Sequence, residues 1–195
     1  PKKLLLYGFP RLDVLIQQYQ NVTKKNSESK LILITPSYGK NNLLEICGIE
    51  LIEILLKSNF KVLLRPHFKI LKESEKLMKK IDEEFGNNSN FILEKGIIPT
   101  ELFQSSICMI SDWSGISLEY AFTFERPPIF IDVPKKILNN NSDKIFLEPI
   151  ENSIRHEVGH VILPTNIKEI PNIIESLKNH EYTEKIKEIR SKTVY

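Results

Sequence analysis

Several apolar runs in this sequence have strand length but no alternation of polar and apolar residues. Leu31-Ile32-Leu33-Ile34, Val62-Leu63-Leu64, Ile107-Cys108-Met109-Ile110 and Pro128-Ile129-Phe130-Ile131 offer no polar face to water. A strand of that kind is buried on both sides, so helices must cover both faces of its sheet. Helical patterns separate the runs, which makes the sheet parallel. Shorter strands are expected at Lys3-Leu4-Leu5-Leu6-Tyr7, at Asn90 to Leu93 and at Val158 to Leu163. Helices are expected from Leu43 to Lys57, with Leu44, Cys47, Leu51, Ile54 and Leu55 near one face, and from Lys69 to Phe85 before Gly86-Asn87-Asn88. Further helices read from Pro99 to Gln104, Ser114 to Phe124, Ile170 to Lys178 and Thr183 to Ser191, and the asparagine-rich stretch Lys135 to Lys144 reads as loop. The expected fold is α/β: a parallel sheet of about six strands with helices on both faces, in one domain over residues 1–195 whose closing helices occupy about 170–195.

Length and composition bound the function. A chain of 195 residues fits one domain with a real core. Apolar residues make up 41% and charged residues 27%, and the net charge of +2 does not point to nucleic acid. Cys47 and Cys108 each sit in an apolar run, which reads as two buried reduced thiols in a cytosolic setting. No apolar run has the length of a membrane span, and no secretory signal is visible. The chain begins at Pro1, which fits a piece of a longer protein.

In a parallel sheet ligands bind beyond the carboxyl ends of the strands, so the strand-to-helix loops matter most. Three carry unusual residues. Ser111-Asp112-Trp113-Ser114-Gly115 precedes a helix. Ser114 can cap that helix, Gly115 lets backbone approach a ligand, and free N–H groups favour an anion. The competing reading is a plain capping turn with a buried tryptophan. Asp112 would repel a phosphate, so it is expected to orient the loop or take a hydroxyl. Arg65-Pro66-His67 offers a guanidinium fork and an imidazole for phosphate or proton transfer, against the alternative of an exposed loop histidine. Thr35-Pro36-Ser37-Tyr38-Gly39 is either a donor-bearing turn on the same edge or an ordinary proline-glycine turn.

His156-Glu157-Val158-Gly159-His160 matches the zinc pattern H-E-x-x-H. The pattern requires a helix, but the segment reads as extended. Its histidines would then stand about 13 Å apart, too far to share a metal. A zinc metalloprotease, with Glu169 or Glu175 as third ligand, is carried as an alternative. G-x-G-x-x-G, Walker, G-x-S-x-G and C-x-x-C motifs are missing, which argues against nicotinamide enzymes, P-loop ATPases and ordinary serine hydrolases.

Taken together, the motifs resemble the CDP-glycerol glycerophosphotransferases of teichoic acid and capsule synthesis. Gly8-Phe9-Pro10-Arg11-Leu12-Asp13 matches the family's Gly-x-Pro-Arg-x-Asp, and Arg65-Pro66-His67-Phe68 matches Arg-x-His-Pro except at Phe68. Ser111 to Gly115 corresponds to Thr-Asp-Tyr-Ser-Ser, and Glu119-Tyr120-Ala121 with Arg126-Pro127-Pro128-Ile129-Phe130 follows Asp-Tyr-Ala and Arg-Pro-x-x-Phe. The similarity spans Gly8 to about Ile162. It implies a Rossmann-like domain, one half of a two-domain GT-B glycosyltransferase fold. It implies that His67 takes part in catalysis or holds donor phosphates, and that the Ser111–Gly115 loop cradles a donor pyrophosphate, with Arg65, Ser37 and Tyr38 on the same edge. Gly8, Pro10, Arg11, Asp13 and Glu119 carry the supporting motifs. The family's other catalytic histidine lies in a His-Gly motif of an N-terminal domain, and no such motif stands here. The chain is therefore expected to be the donor-binding half, inactive alone. The implied donor is CDP-glycerol, with CDP-ribitol or a nucleotide sugar as alternatives, and the implied acceptor is polymeric or lipid-linked. No metal or other cofactor is required. The expected location is the cytoplasm or the cytoplasmic face of the membrane. A sugar transferase using a UDP- or CMP-sugar and a non-catalytic binding module are the rival readings.

Overall fold

The structure is a computed structural model that describes residues 8–20, 29–96, 100–135, 144, 148–177 and 181–194. Six strands form one sheet: β1 (Leu31–Thr35), β2 (Lys61–Leu64), β3 (Phe91–Leu93), β4 (Cys108–Ser111), β5 (Ile129–Ile131) and β6 (His160–Ile162). Every pairing is parallel, and the order across the sheet is β3-β2-β1-β4-β5-β6. The apolar runs form buried strands because their two residue parities feed two separate cores. Ile32, Ile34, Val62, Leu64, Cys108 and Ile110 face one side. There they meet α2 (Ile49–Lys57), α4 (Glu75–Phe85) and α9 (Ile170–Ser176). Leu31, Leu33, Leu63 and Met109 face the other side, against Tyr120 and the flank of Phe103.

That second side is covered by α5 (Thr100–Ser105), α6 (Ile116–Phe124), α1 (Pro10–Gln20) and α10 (Glu181–Thr193). Leu12, Leu118, Ala121, Phe122, Ile186 and Ile189 form the apolar seam among α1, α6 and α10. Polar contacts fix the same seam. Arg190 and Lys187 of α10 reach Glu125 at 3.2 and 3.7 Å, and Lys192 pairs with Glu188. Lys187, Arg190 and Lys192 of α10 are thus balanced locally by acids. Among the described residues no helix is long and apolar enough to cross a membrane.

The structure departs from the sequence-based expectations at several points. The expected strand at residues 3–7 and most of the expected loop at 135–144 lie outside the described residues. Residues 10–20, where the apolar pattern predicts no element, form α1. The expected helix from Lys69 to Phe85 is two helices, α3 (Phe68–Glu73) and α4, broken at Ser74. Ser74 leaves helical geometry (φ −123°, ψ 40°), and its hydroxyl reaches Glu45 at 3.3 Å, an outlet that short polar side chains offer against helix continuity. The expected helix from Leu43 opens with a π-helical turn (Leu44–Gly48), where Asn42 Oδ1 accepts the amides of Leu44 and Glu45.

The H-E-x-x-H segment is neither wholly extended nor wholly helical. After α7 (Ile150–Ser153), His156 and Glu157 stand in the single turn α8 (Arg155–Val158), whereas His160 begins β6. Gly159 joins them in an extended conformation, and a Cβ there would lie 2.3 Å from the Pro128 carbonyl oxygen. The tight entry into β6 therefore needs glycine. Among the described residues no group of three His, Cys, Asp or Glu is placed to hold a metal ion.

Burial pushes the thiols of Cys47 and Cys108 up from 9.0 to about 12. Stability tied to their protonated form is complete below the ordinary thiol pKa and is lost as pH rises toward 12. A thiol reagent at pH 8 is expected to find neither cysteine in the native protein and both after unfolding. Fast labelling of either native thiol would contradict the packing.

Candidate functional site

Strand order reverses direction at β1, with β2 on one flank and β4 on the other. Loops leaving such neighbouring strands part at their carboxyl ends and open a crevice. Here the crevice is a cleft of about 220 Å³ lined by Arg11, Thr35, Pro36, Arg65, His67, Ser114, Ile116 and Glu119. A second hollow of about 200 Å³ continues from it, sharing Arg11, Arg65, Ile116 and Glu119 and bounded by Tyr19, Phe103 and Phe124.

The β4 loop owes its shape to Asp112, which is 1% exposed. One carboxylate oxygen accepts the Ser37 amide at 2.7 Å and the other accepts the Leu43 amide at 3.0 Å. The carboxylate therefore orients the loop, one of the two roles expected of it. Ser111 is fully buried, and its hydroxyl donates to the Thr35 carbonyl at 2.6 Å. Trp113 donates its indole N–H to the Val133 carbonyl at 2.9 Å. Of the 111–115 loop, only Ser114 lines the cleft. Ser114 does not cap α6 with its side chain: Gly115 stands at the N-cap in helical geometry, and the Ser114 carbonyl accepts the Ser117 amide and hydroxyl. The five residues read as phosphate ligands thus divide, with Ser111, Asp112 and Trp113 fastening the loop. Ser37 is likewise buried, with its amide given to Asp112.

The β2 loop brings Arg65 and His67 to the cleft. His67 is the N-cap of α3, and its Nδ1 accepts the Lys69 amide at 3.2 Å. In the neutral ring that bond assigns the proton to Nε2. Tyr38 and Phe68 flank the imidazole, with ring centroids 4.7 and 4.4 Å from it, and Lys69 Nζ lies 4.2 Å over Tyr38. Tyr38 therefore serves as a wall for His67. Phe68 is 62% exposed.

The Gly8–Asp13 motif reaches the cleft through Arg11, whose guanidinium meets Glu119 of α6 at 3.1 Å. Pro10 starts α1 and Asp13 lies in its first turn, both favourable at a helix start. Gly8 has a φ of +75°, and a Cβ there would come within 2.9 Å of the Val194 carbonyl oxygen, so the residue serves the chain path beside α10. Thr35, which opens the turn marked at the end of β1, is 2% exposed, and among the described residues its hydroxyl has no hydrogen-bond partner although the residue lines the cleft. Arg155, which does not stand out in the sequence, is 4% exposed and stacks on Trp113. Nothing local in the sequence marks Arg155.

Fold and cleft define the class: a Rossmann-like α/β domain of GT-B type with its crevice at the strand-order switch. The sequence model for CDP-Glycerol:Poly(glycerophosphate) glycerophosphotransferase matches residues 1–193, and the chain belongs to that family. Among solved structures it is similar to the wall teichoic acid polymerase TagF, with 22% identity over 97% of this chain and a TM-score of 0.56. It is also similar to S. aureus TarM, solved with UDP (18% identity, 86% of this chain and 33% of that one, TM-score 0.54). UDP-GlcNAc 2-epimerase from Methanocaldococcus jannaschii, solved with UDP-GlcNAc and UDP, shares 16% identity over 95% of this chain and 53% of its own, with a TM-score of 0.59. This chain spans 47% of the TagF chain. No curated protein matches it.

Replacing Asp112 by alanine strands two buried amides. The expected loss is roughly 2–5 kcal/mol of unfolding free energy, read by urea titration. An unchanged midpoint would show that the carboxylate does not hold the loops together.

Proposed function

We propose that this chain is the donor-binding half of a transferase that moves glycerophosphate from CDP-glycerol to an acceptor hydroxyl during cell-surface polymer synthesis. Family membership supports the reaction class. TagF soaked with CDPG supports the donor class. The observation that carries the reading is local to this chain: Thr35, whose buried hydroxyl has no hydrogen-bond partner among the described residues, lines a cleft together with Arg65, His67, Ser114 and the start of α6. Buried hydroxyls in folded proteins almost always have partners, and a donor phosphate would supply one.

In the proposed reaction the acceptor oxygen bonds to the β-phosphorus, the bond from that phosphorus to the bridging oxygen breaks, and CMP leaves. The acceptor's proton goes to a base, which we assign to the second GT-B domain. Arg65, a donating His67 Nε2–H and the α6 amides stabilise charge on the phosphates. Helix-start amides and cationic side chains are sufficient for that task, so the reading calls on no metal.

TarM and the epimerase were solved with UDP, so a nucleotide-sugar donor is the rival. Calorimetry of the folded chain with CDP-glycerol, CMP, UDP-glucose and UDP separates the two: a preference for the cytidine ligands is expected. Binding of the uridine ligands alone would favour the sugar transferase, and binding of none would remove the donor site. Thr35→Val is expected to weaken CDP-glycerol binding several-fold without lowering Tm, because it deletes a hydroxyl that has no partner among the described residues. In the full-length protein, His67→Ala is expected to cut kcat at least a hundredfold. Unchanged activity there would favour a non-catalytic binding module.

A further inference from the structure

Arg155 stands in a single helical turn beside exposed His156, yet its side chain is almost wholly buried. Its guanidinium carbon lies 3.8 Å from the Trp113 ring centroid and 5.1 Å from that of Phe130. Nη1 donates to Asp132 at 3.0 Å and Nη2 to the Ile131 carbonyl at 3.4 Å. The same stretch of chain takes the Trp113 indole N–H on the Val133 carbonyl. Trp113 is thus gripped between a guanidinium plane and the end of β5. Burial pulls the Arg155 pKa down, and the bond to Asp132 opposes that shift. A buried guanidinium is a costly way to fill space, since an apolar side chain would pack there without desolvating a charge. What it adds is a flat, charged surface that fixes the tilt of an indole.

That tilt bears on the next two residues of the chain. Ser114 lines the cleft and Gly115 starts α6, and no side-chain cap holds the helix start. The backbone there is aimed by its two predecessors, Asp112 held by the β1 loop and Trp113 held by Arg155. We propose that Arg155 is a positioning residue: by stacking on Trp113 it sets the angle at which Ser114 and the first α6 amides meet the donor phosphates. The proposal rests on the donor reading of the cleft.

Trp113 is the only tryptophan in the sequence, so its fluorescence reports the stack alone. Arg155→Lys keeps the charge but loses the plane and the fork. In the folded variant, Trp113 emission is expected to shift to the red, acrylamide quenching to rise at least twofold and CDP-glycerol affinity to fall at least tenfold by calorimetry. A folded Arg155→Lys protein that binds within twofold of wild type overturns the proposal and leaves the donor site standing. Wild-type protein that binds neither CDP-glycerol nor CMP overturns both. Should Arg155→Lys fail to fold, Asp132→Ala removes the carboxylate partner of Arg155 at a position 43% exposed. It is expected to weaken binding at least threefold at unchanged secondary structure, and unchanged affinity there also overturns the proposal.

Discussion

A buried carboxylate organises this molecule's ligand edge. Asp112 comes at the end of β4, and its oxygens take amides from the two ends of the loop leaving β1. Those strands are neighbours at the point where the sheet order turns. Loops at such a point diverge, and nothing in the parallel ladder fixes how far. Asp112, with two acceptor oxygens, and Ser111, whose hydroxyl donates to the Thr35 carbonyl, together set that separation. Charged acceptors make stronger bonds to backbone N–H than neutral ones, which offsets part of the cost of burying the charge. The width of the cleft between Thr35 and Ser114 follows from these bonds.

The central strands were legible in the sequence because β1, β4 and β5 are buried on both faces, so apolar runs such as Leu31 to Ile34 have no competing explanation. Helix α1 was not legible in the same way. Its buried anchor Leu12 acquires meaning only against Leu118 and Ile189 from distant parts of the chain. The break at Ser74 escaped for a related reason. The segment has helical periodicity throughout, and the hydroxyl that leaves the helix finds Glu45, 29 residues away. Local pattern sets element type, while breaks and boundaries depend on partners that only the fold brings near.

The site shows the same division. Arg65, His67 and Ser114 were marked in the sequence by their chemistry, Arg11 and Glu119 by the motifs that carry the family resemblance, and all five line one cleft. Residue type pointed to the first three because exposed donors at strand ends have few structural uses. Ser111 and Trp113 have the same donor chemistry, yet carbonyls from β1 and from beyond β5 take their hydrogens. No sequence rule separates a hydroxyl whose residue lines a cleft from one that faces the next strand when both sit in one five-residue loop. The loop is therefore part cleft lining and part fastening, and only the fold tells the two apart.

The electrostatics of the cleft follow from how deeply each charge is held. Asp112 and Arg155 are buried and committed, so they shape the site and stay in place when a ligand enters. Arg11 and Glu119 differ, with side chains 66% and 21% exposed at a separation of 3.1 Å. An ion pair so open to water is worth about 0–1 kcal/mol. Separating it costs little compared with the charge-assisted bonds that Arg11 could give a diphosphate. On the donor reading, Glu119 holds Arg11 at the cleft and balances its charge there, so that one of the two arginines lining the cleft, Arg11 and Arg65, already has an acidic partner.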